Sequence, residues 1–440
     1  MPSIPPRVAR ISLPPFDILN TKAARLRAAG RNVITLGQGV PGFGPPPAAI
    51  EAARRALQEP ATHLYGPDAG RLSLRQALCE QLLANHGIDA TPDEVIVTAG
   101  GNQAFMLAVA TLLDPGDEVI LSTPYFVNHE MALRAAGAVP VEACVYEAQG
   151  FRTRWADIEP HVTSRTRAVV LCTPSNPTGA VIARDDLRRI VLELRTRGIL
   201  VLCDETYMHF VYQGIEEGAR GAEEGAGGAK GAGGAKGAKG ARGARGAGGA
   251  KSAESGDDYA AAAVPVSASA AAIEGWRENV VVLGTFSKSF GMTGWRLGYL
   301  LASSSVCDQA IKIQDAMIIC APVIAQIAAE AAVRGAWHYA HEYHDELMTR
   351  RRVLADELGT IPGLHWKAGD GGFFAFVRVD GCTDSLALST AILDAVDVVT
   401  IPGATFGSSG EGYLRLSYGA ADEATLREAC GRLRDYFARR

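Results

Sequence analysis

The chain has no excess of positive charge, no paired CxxC cysteines and no long apolar run. Lys and Arg number 43 against 48 Asp and Glu, a net charge of -5. A generic nucleic-acid binder carries a basic excess, so this balance argues against that class. No stretch reaches the ~18 apolar residues that a membrane span requires. The opening MPSIPPRVARISLPP is interrupted by prolines and holds no apolar signal core. Most of the 8 cysteines sit in apolar stretches such as AVVLC and ILVLC. They read as buried free thiols in a reducing compartment, and a cytoplasmic protein is expected. His338, His341 and His344 recur every third residue in WHYAHEYHDE. Without a fourth ligand or a tighter motif they read as a solvated helix face, and no metal is expected.

What is present is a long, ordinary globular composition with one foreign segment. The 440 residues are 48% hydrophobic and 21% charged, ample to bury a core without disulfides. Residues 218–250 contain only Gly, Ala, Lys, Arg and Glu, with a Gly-Ala-X repeat from Gly225 to Gly249. The repeat has no proline to stiffen it and no apolar side chain larger than Ala. It cannot bury enough surface to offset the entropy of ordering, so a disordered insert over about 216–256 is expected.

Outside the insert the pattern is α/β. Apolar runs bounded by turn signals, DEVIVTAG, DEVILSTP, RAVVLCTP, ILVLCDE and NVVVLGTFS, read as buried strands. Helix-like stretches such as NQAFMLAVATLL and RDDLRRIVLELRTRG alternate with them. Alternation predicts a mostly parallel sheet covered by helices on both faces, with ligands at the carboxyl ends of its strands. A long helical stretch from about Cys307 to Arg352 then leads into GGFFAFVRVD and GYLRLSYG, strands of a smaller α/β domain. The expected division is an N-terminal arm and part of the small domain over 1–44, a large domain over 45–300, and an interdomain helix with the small domain over 301–440.

Chemistry-bearing residues follow the apolar runs. In GTFSKSFGMTGWRLGY, Lys288 lies just past a strand, where burial makes its ammonium easier to deprotonate. A neutral lysine amine is the nucleophile for a Schiff base with a carbonyl. Thr285, Ser287 and Arg296 beside it can hold a phosphate. A carbonyl compound carrying a phosphate points to pyridoxal 5'-phosphate. Asp204 ends the run VLCDETYMHF, where a carboxylate needs a buried cation, and a protonated pyridine nitrogen is one. Tyr207 is three residues on. Asn176 in TPSNPTG has a rigid amide between prolines, and a cis Asn-Pro bond fits that context. Gly100, Gly101 and Asn102 in VTAGGNQAF join a strand to a helix N-terminus, a ready phosphate site. Arg415 interrupts the apolar strand GYLRLSYG and can clamp a carboxylate with two hydrogen bonds.

Together these motifs resemble the class I/II aminotransferases, pyridoxal-phosphate enzymes of fold type I, of the aspartate and kynurenine aminotransferase kind. The resemblance runs through LGQGVPGFGPPP, HLYGPDAGRLSLRQAL, VTAGGNQA, TPYFVNHEM, SNPTG, DETY, SKSFGMTGWRLGY and YLRLSYG. It implies Lys288 as the Schiff-base lysine, Asp204 as partner of the pyridine nitrogen, and Tyr207 and Asn176 as partners of the phenolic oxygen. It implies a phosphate cup of Thr285, Ser287, Arg296 and the backbone of Gly100, Gly101 and Asn102. Phe126 falls where the family stacks an aromatic ring on the cofactor, in place of a commoner Trp or Tyr. Tyr65 is similar to the tyrosine that reaches the phosphate of a neighbouring subunit, which implies a homodimer with shared active sites. Arg415 corresponds to the clamp on the substrate α-carboxylate, with the Gly39 backbone beside it.

The implied activity moves an amino group from an L-amino acid to a 2-oxo acid by ping-pong chemistry. The opening LGQGVPGFGPPP is similar to that of kynurenine and glutamine-type transaminases, which favours a neutral or aromatic side chain. A lyase or cyclase on the same scaffold would use the same Lys, Asp and Arg. A non-catalytic regulator would add a DNA-binding segment, and none is visible before residue 30.

Overall fold

The computed structural model describes residues 4–212 and 267–439, and the expected insert falls outside the described residues. The five apolar runs form β2 (Val95–Thr98), β3 (Glu118–Thr123), β5 (Thr166–Cys172), β6 (Leu200–Asp204) and β7 (Val280–Thr285), and β4 (Val139–Cys144) and β8 (Gly298–Leu301) join them in one sheet, after a short β1 (Ile34–Thr35). The strand order is β2-β8-β7-β6-β5-β3-β4. Only β8 runs against its neighbours, so the sheet is mostly parallel, as its alternation with helices dictates.

Successive residues of each strand feed opposite cores. Val169, Leu171, Val201 and Cys203 join one apolar cluster with the helix residues Leu187, Ile190, Val191 and Leu194. Ala168, Val170 and Leu202 join the other with Ala104, Phe105, Leu107 and Ala108. A strand buried on both faces reads as a continuous apolar run, which is why the sequence shows no alternation here. Helix Arg184–Thr196 buries Leu187, Ile190, Val191 and Leu194, the spacing of one helical face. Its charged residues take the other face.

A second sheet, in the order β12-β13-β10-β9, is antiparallel. It comprises β9 (Leu364–His365), β10 (Phe374–Val379), β12 (Ile401–Pro402) and β13 (Tyr413–Ser417). The short β1 near the N-terminus pairs in parallel with β11 (Val398–Val399). Residues 34–35 are therefore built in with the C-terminal part of the chain. Among the described residues no helix is long and apolar enough to cross a membrane.

The long helix expected from Cys307 to Arg352 is broken into Ser304–Ile318, Val323–Gly335 and His344–Leu358. Ile319 adopts a φ of 64° and Pro322 precedes the second helix, so the first cannot continue. His338, His341 and His344 accordingly do not share one helix face. His338 and His341 stack on each other, and His341 also packs against the buried His209.

One glycine is demanded by a cross-strand neighbour. Gly284 of β7 lies opposite Tyr299 of β8, whose ring folds over it. A Cβ built on Gly284 falls 2.0 Å from the Tyr299 ring. Overpacking of this kind costs about 1–3 kcal/mol. Gly284→Ala is expected to lower stability by that amount in denaturant unfolding, and an unchanged midpoint would contradict this packing.

Candidate active site

The carboxyl ends of β5, β6 and β7 and the N-terminus of helix Gly101–Leu112 open onto one cavity of about 500 Å³. Its lining includes Gly39, Gly101, Asn102, Phe126, Asn176, Asp204, Tyr207, Thr285, Ser287, Lys288, Arg296 and Arg415. Sequence reasoning spread over more than three hundred residues thus converges on one space. Gly100 is not among the lining residues. Its φ is +88°, and a Cβ there would meet the Arg296 guanidinium at 2.5 Å. Tyr65 lies outside the cavity and is 82% exposed.

Lys288 sits in the short helix Phe286–Ser289 that follows β7. Thr285 caps that turn, its hydroxyl accepting from the Ser287 N–H at 3.1 Å and donating to the Leu297 carbonyl. The Lys288 ammonium donates to the Gly39 carbonyl at 2.6 Å. Burial, then the neighbouring Arg415 and Arg296 charges, lower its pKa to about 8, with Asp204 pulling the other way.

Asp204 ends β6 almost completely buried. One carboxylate oxygen accepts from the Thr206 N–H at 2.9 Å, and the other lies 3.0 Å from His129 Nε2. Burial alone would raise its pKa. The hydrogen bond and charge of His129, with Thr206, outweigh burial and hold it below the ordinary value. The carboxylate is therefore ionised and ready for a cationic partner.

Asn176 precedes a cis peptide bond to Pro177, and its amide oxygen accepts from Arg415 Nη1 at 2.9 Å. Arg415, in β13, is 3% exposed. Its Nη2 donates to the Gly37 carbonyl, and its Nε has no partner among the described residues. The rings of Phe16, Phe374 and Phe406 surround the guanidinium at 5.5, 4.9 and 5.1 Å. Burial lowers its pKa to about 10, which leaves it charged at neutral pH. No carboxylate pairs with it among the described residues. Its backbone partner is the Gly37 carbonyl, and Gly39, expected beside the clamp, lines the same cavity with its carbonyl accepting from Lys288.

Sequence reasoning missed His129, Thr206, Phe16 and Gly37. His129 follows Phe126 by three residues on helix Val127–Ala136, so the two rings meet edge to face at 5.4 Å. That spacing was the available signal. Its partner Asp204 lies 75 residues away, beyond the reach of any local pattern.

The cavity fits a phosphorylated, carbonyl-bearing cofactor. Helix Gly101–Leu112 has no side-chain cap at its N-terminus, and Arg296, Thr285 and Ser287 stand in the same cavity. Its free N–H groups and cations are complementary to a phosphate.

A family model described as aminotransferase class I and II matches residues 31–433. The chain belongs to this family. It is 33% identical over 405 residues to aromatic-amino-acid aminotransferase 2 of Thermococcus litoralis, covering 91% of this chain and 90% of that one. It is 32% identical over 426 residues to an aspartate aminotransferase of Pyrococcus abyssi, covering 95% and 96%. The solved aspartate aminotransferase of Thermus thermophilus with maleate superposes with a TM-score of 0.82, at 28% identity, covering 99% of this chain and all of that one. The fold is that of the fold type I aminotransferases, and the protein is an amino-group transferase of a pyridoxal-phosphate-dependent family.

The lowered pKa of Lys288 is open to direct measurement. In the cofactor-free protein, acylation of Lys288 followed by mass spectrometry is expected to rise with a midpoint near pH 8. A midpoint near the ordinary lysine value of 10.5 would show that the amine is not desolvated.

Proposed function

We propose that this aminotransferase takes its amino group from L-amino acids with a neutral or aromatic side chain and passes it to a 2-oxo acid. The observation that carries the reading is Arg415, a buried guanidinium with no carboxylate of its own and one edge on Asn176. A substrate α-carboxylate supplies the missing anion. The other basic side chains lining the cavity among the described residues are Lys288, Arg296 and His129. Lys288 is committed to chemistry, Arg296 to phosphate and His129 to Asp204, so no cation remains among these for a second substrate carboxylate. The lining also includes Phe16, Asn20, Gln38 and Val40, which are neutral.

Arg296, Thr285, Ser287 and the first N–H groups of helix Gly101–Leu112 would hold the phosphate of pyridoxal 5'-phosphate. Asp204 would face its pyridine nitrogen, Tyr207 and Asn176 its phenolic oxygen, and Phe126 its ring. When bound, the cofactor supplies an electrophilic carbonyl and a cationic ring that accepts electrons. Asp204, kept ionised by His129, would keep that ring protonated. Tyr207 remains protonated, because burial pushes its phenol up, and so it can donate. Arg415 and Asn176 orient the substrate carboxylate. The Lys288 amine, neutral in a large fraction near pH 8, takes the proton from the substrate α-carbon at Nζ and later returns one.

The proposed assembly is a homodimer in the cytoplasm. Tyr65, exposed in the single chain beside the exposed Leu57, Leu64 and Leu72, would reach the partner's phosphate. The two-domain division is proposed with the antiparallel sheet and residues 1–44 as the smaller part.

A panel of amino donors assayed against pyruvate and 2-oxoglutarate tests the reading, with Arg415→Lys as its control. Neutral and aromatic donors are expected to exceed aspartate. A lost hydrogen bond to a charged group costs roughly 1.5–3 kcal/mol, and each 1.4 kcal/mol is about tenfold. Arg415→Lys is expected to lower kcat/KM by about one to two orders of magnitude, with cofactor absorbance unchanged. Unaltered donor kinetics in a folded, yellow Arg415→Lys protein would place the carboxylate elsewhere.

A further inference from the structure

Three buried polar side chains beside the lysine turn take no part in the chemistry above. Glu205, next to Asp204, is 1% exposed. One of its oxygens accepts from the Ser269 hydroxyl at 3.0 Å and the Ala270 N–H at 2.9 Å. The other, Oε2, is buried without a partner among the described residues. His209 is equally enclosed, its Nδ1 lying 2.6 Å from the hydroxyl of Ser289, the residue after Lys288. Its Nε2 is likewise buried without a partner. Glu205, His209 and Ser289 line one small cavity of about 10 Å³, which shares Thr285 with the substrate cavity. Such a volume, roughly 10–15 Å³ or one probe sphere, admits a single water, which needs two to four polar partners.

We propose that a water molecule bound between Glu205 and His209 completes a buried hydrogen-bond chain to Ser289 that fixes the turn carrying Lys288. The protons run in one direction. Neutral Glu205 donates from Oε2 to the water, the water donates to His209 Nε2, and His209 Nδ1–H donates to the Ser289 hydroxyl. The chain requires both Glu205 and His209 to be uncharged, and their surroundings supply this, for Glu205 below about pH 7. Facing Glu205 are the Cys203 thiol, the Asp204 carboxylate and the Tyr299 phenol, none of them a cation. Burial, with Asp204 adding to it, raises the Glu205 carboxyl to about 7 against the opposing donors Ala270, Ser269 and Cys203. Facing His209 are His86, His341, His338 and the Trp337 ring. Burial first, then those imidazoles, push the His209 pKa well down, so its ring stays neutral. Glu205 is thus a positioning residue for Lys288, and Ser269 and Ala270 hold it in place.

The proposal does not depend on which amino donor is used, because its first test reads stability. A carboxyl whose pKa is raised on folding contributes stability below its unfolded value of about 4.5, and that stability is lost as pH rises through about 7. Against Glu205→Gln, the cofactor-loaded wild type is therefore expected to lose roughly 3 °C of Tm between pH 5 and 8. A Tm difference that does not change with pH overturns the proposal. The amide of Glu205→Gln still donates to the water, so kcat is expected within about threefold of wild type. Glu205→Leu removes the donor and is expected to lower kcat about tenfold with little change in KM. Equal kcat in the two variants also overturns it. Should Glu205→Leu fail to fold, Ser289→Ala reads the far end of the chain. Its cofactor absorbance is expected to titrate at a shifted pH, and an unmoved midpoint contradicts the proposal.

Discussion

The Lys288 amine is held out of bulk water between two guanidinium groups and one carboxylate, and both sheets answer to that crowding. Removing an ammonium from water favours its neutral form, and the nearby Arg415 and Arg296 add to the effect. Asp204 opposes them, and without it the cavity would carry only positive charge. That excess is what an anionic cofactor and an anionic substrate relieve. Each cation has a separate source: Lys288 follows β7, Arg296 precedes β8, and Arg415 comes from β13 of the other sheet. The connection between the antiparallel pair β7 and β8 brings the first two together at the carboxyl end of β7, and the second sheet delivers the third.

Close packing keeps these groups where they are. Gly100 has no Cβ because the Arg296 guanidinium occupies that space. Gly284 yields to the Tyr299 ring across the β7–β8 pair. On the antiparallel side, Arg415 is enclosed by three phenylalanine rings, which exclude water and leave two of its edges to fixed acceptors, Asn176 and Gly37. The guanidinium thereby joins the two sheets through a single side chain, since Asn176 follows β5. A buried cation bonded only to neutral acceptors remains electrostatically incomplete.

Much of this was legible in the sequence, and the limits of legibility are physical. The strands of the large sheet are buried on both faces, so they appear as short apolar runs, and the reactive residues directly follow them. Asp204 and Lys288 stand out because a charge at the end of such a run needs a reason. His129 did not, because its partner belongs to another element and a single histidine on a helix carries no pattern. The helix break at Ile319 to Pro322 was also missed, since apolar periodicity continues across it. The orphaned atoms of Glu205 and His209 emerge only once distant segments are packed together.

Lys288 is proposed as the residue through which the cofactor acts. Reducing the pyridoxal-phosphate-loaded protein with borohydride and mapping its peptides tests it most directly. The account predicts a yellow protein and one stable adduct, on Lys288 within GTFSKSFGMTGWR. A protein that stays colourless in excess cofactor, or an adduct on any other lysine, would contradict it.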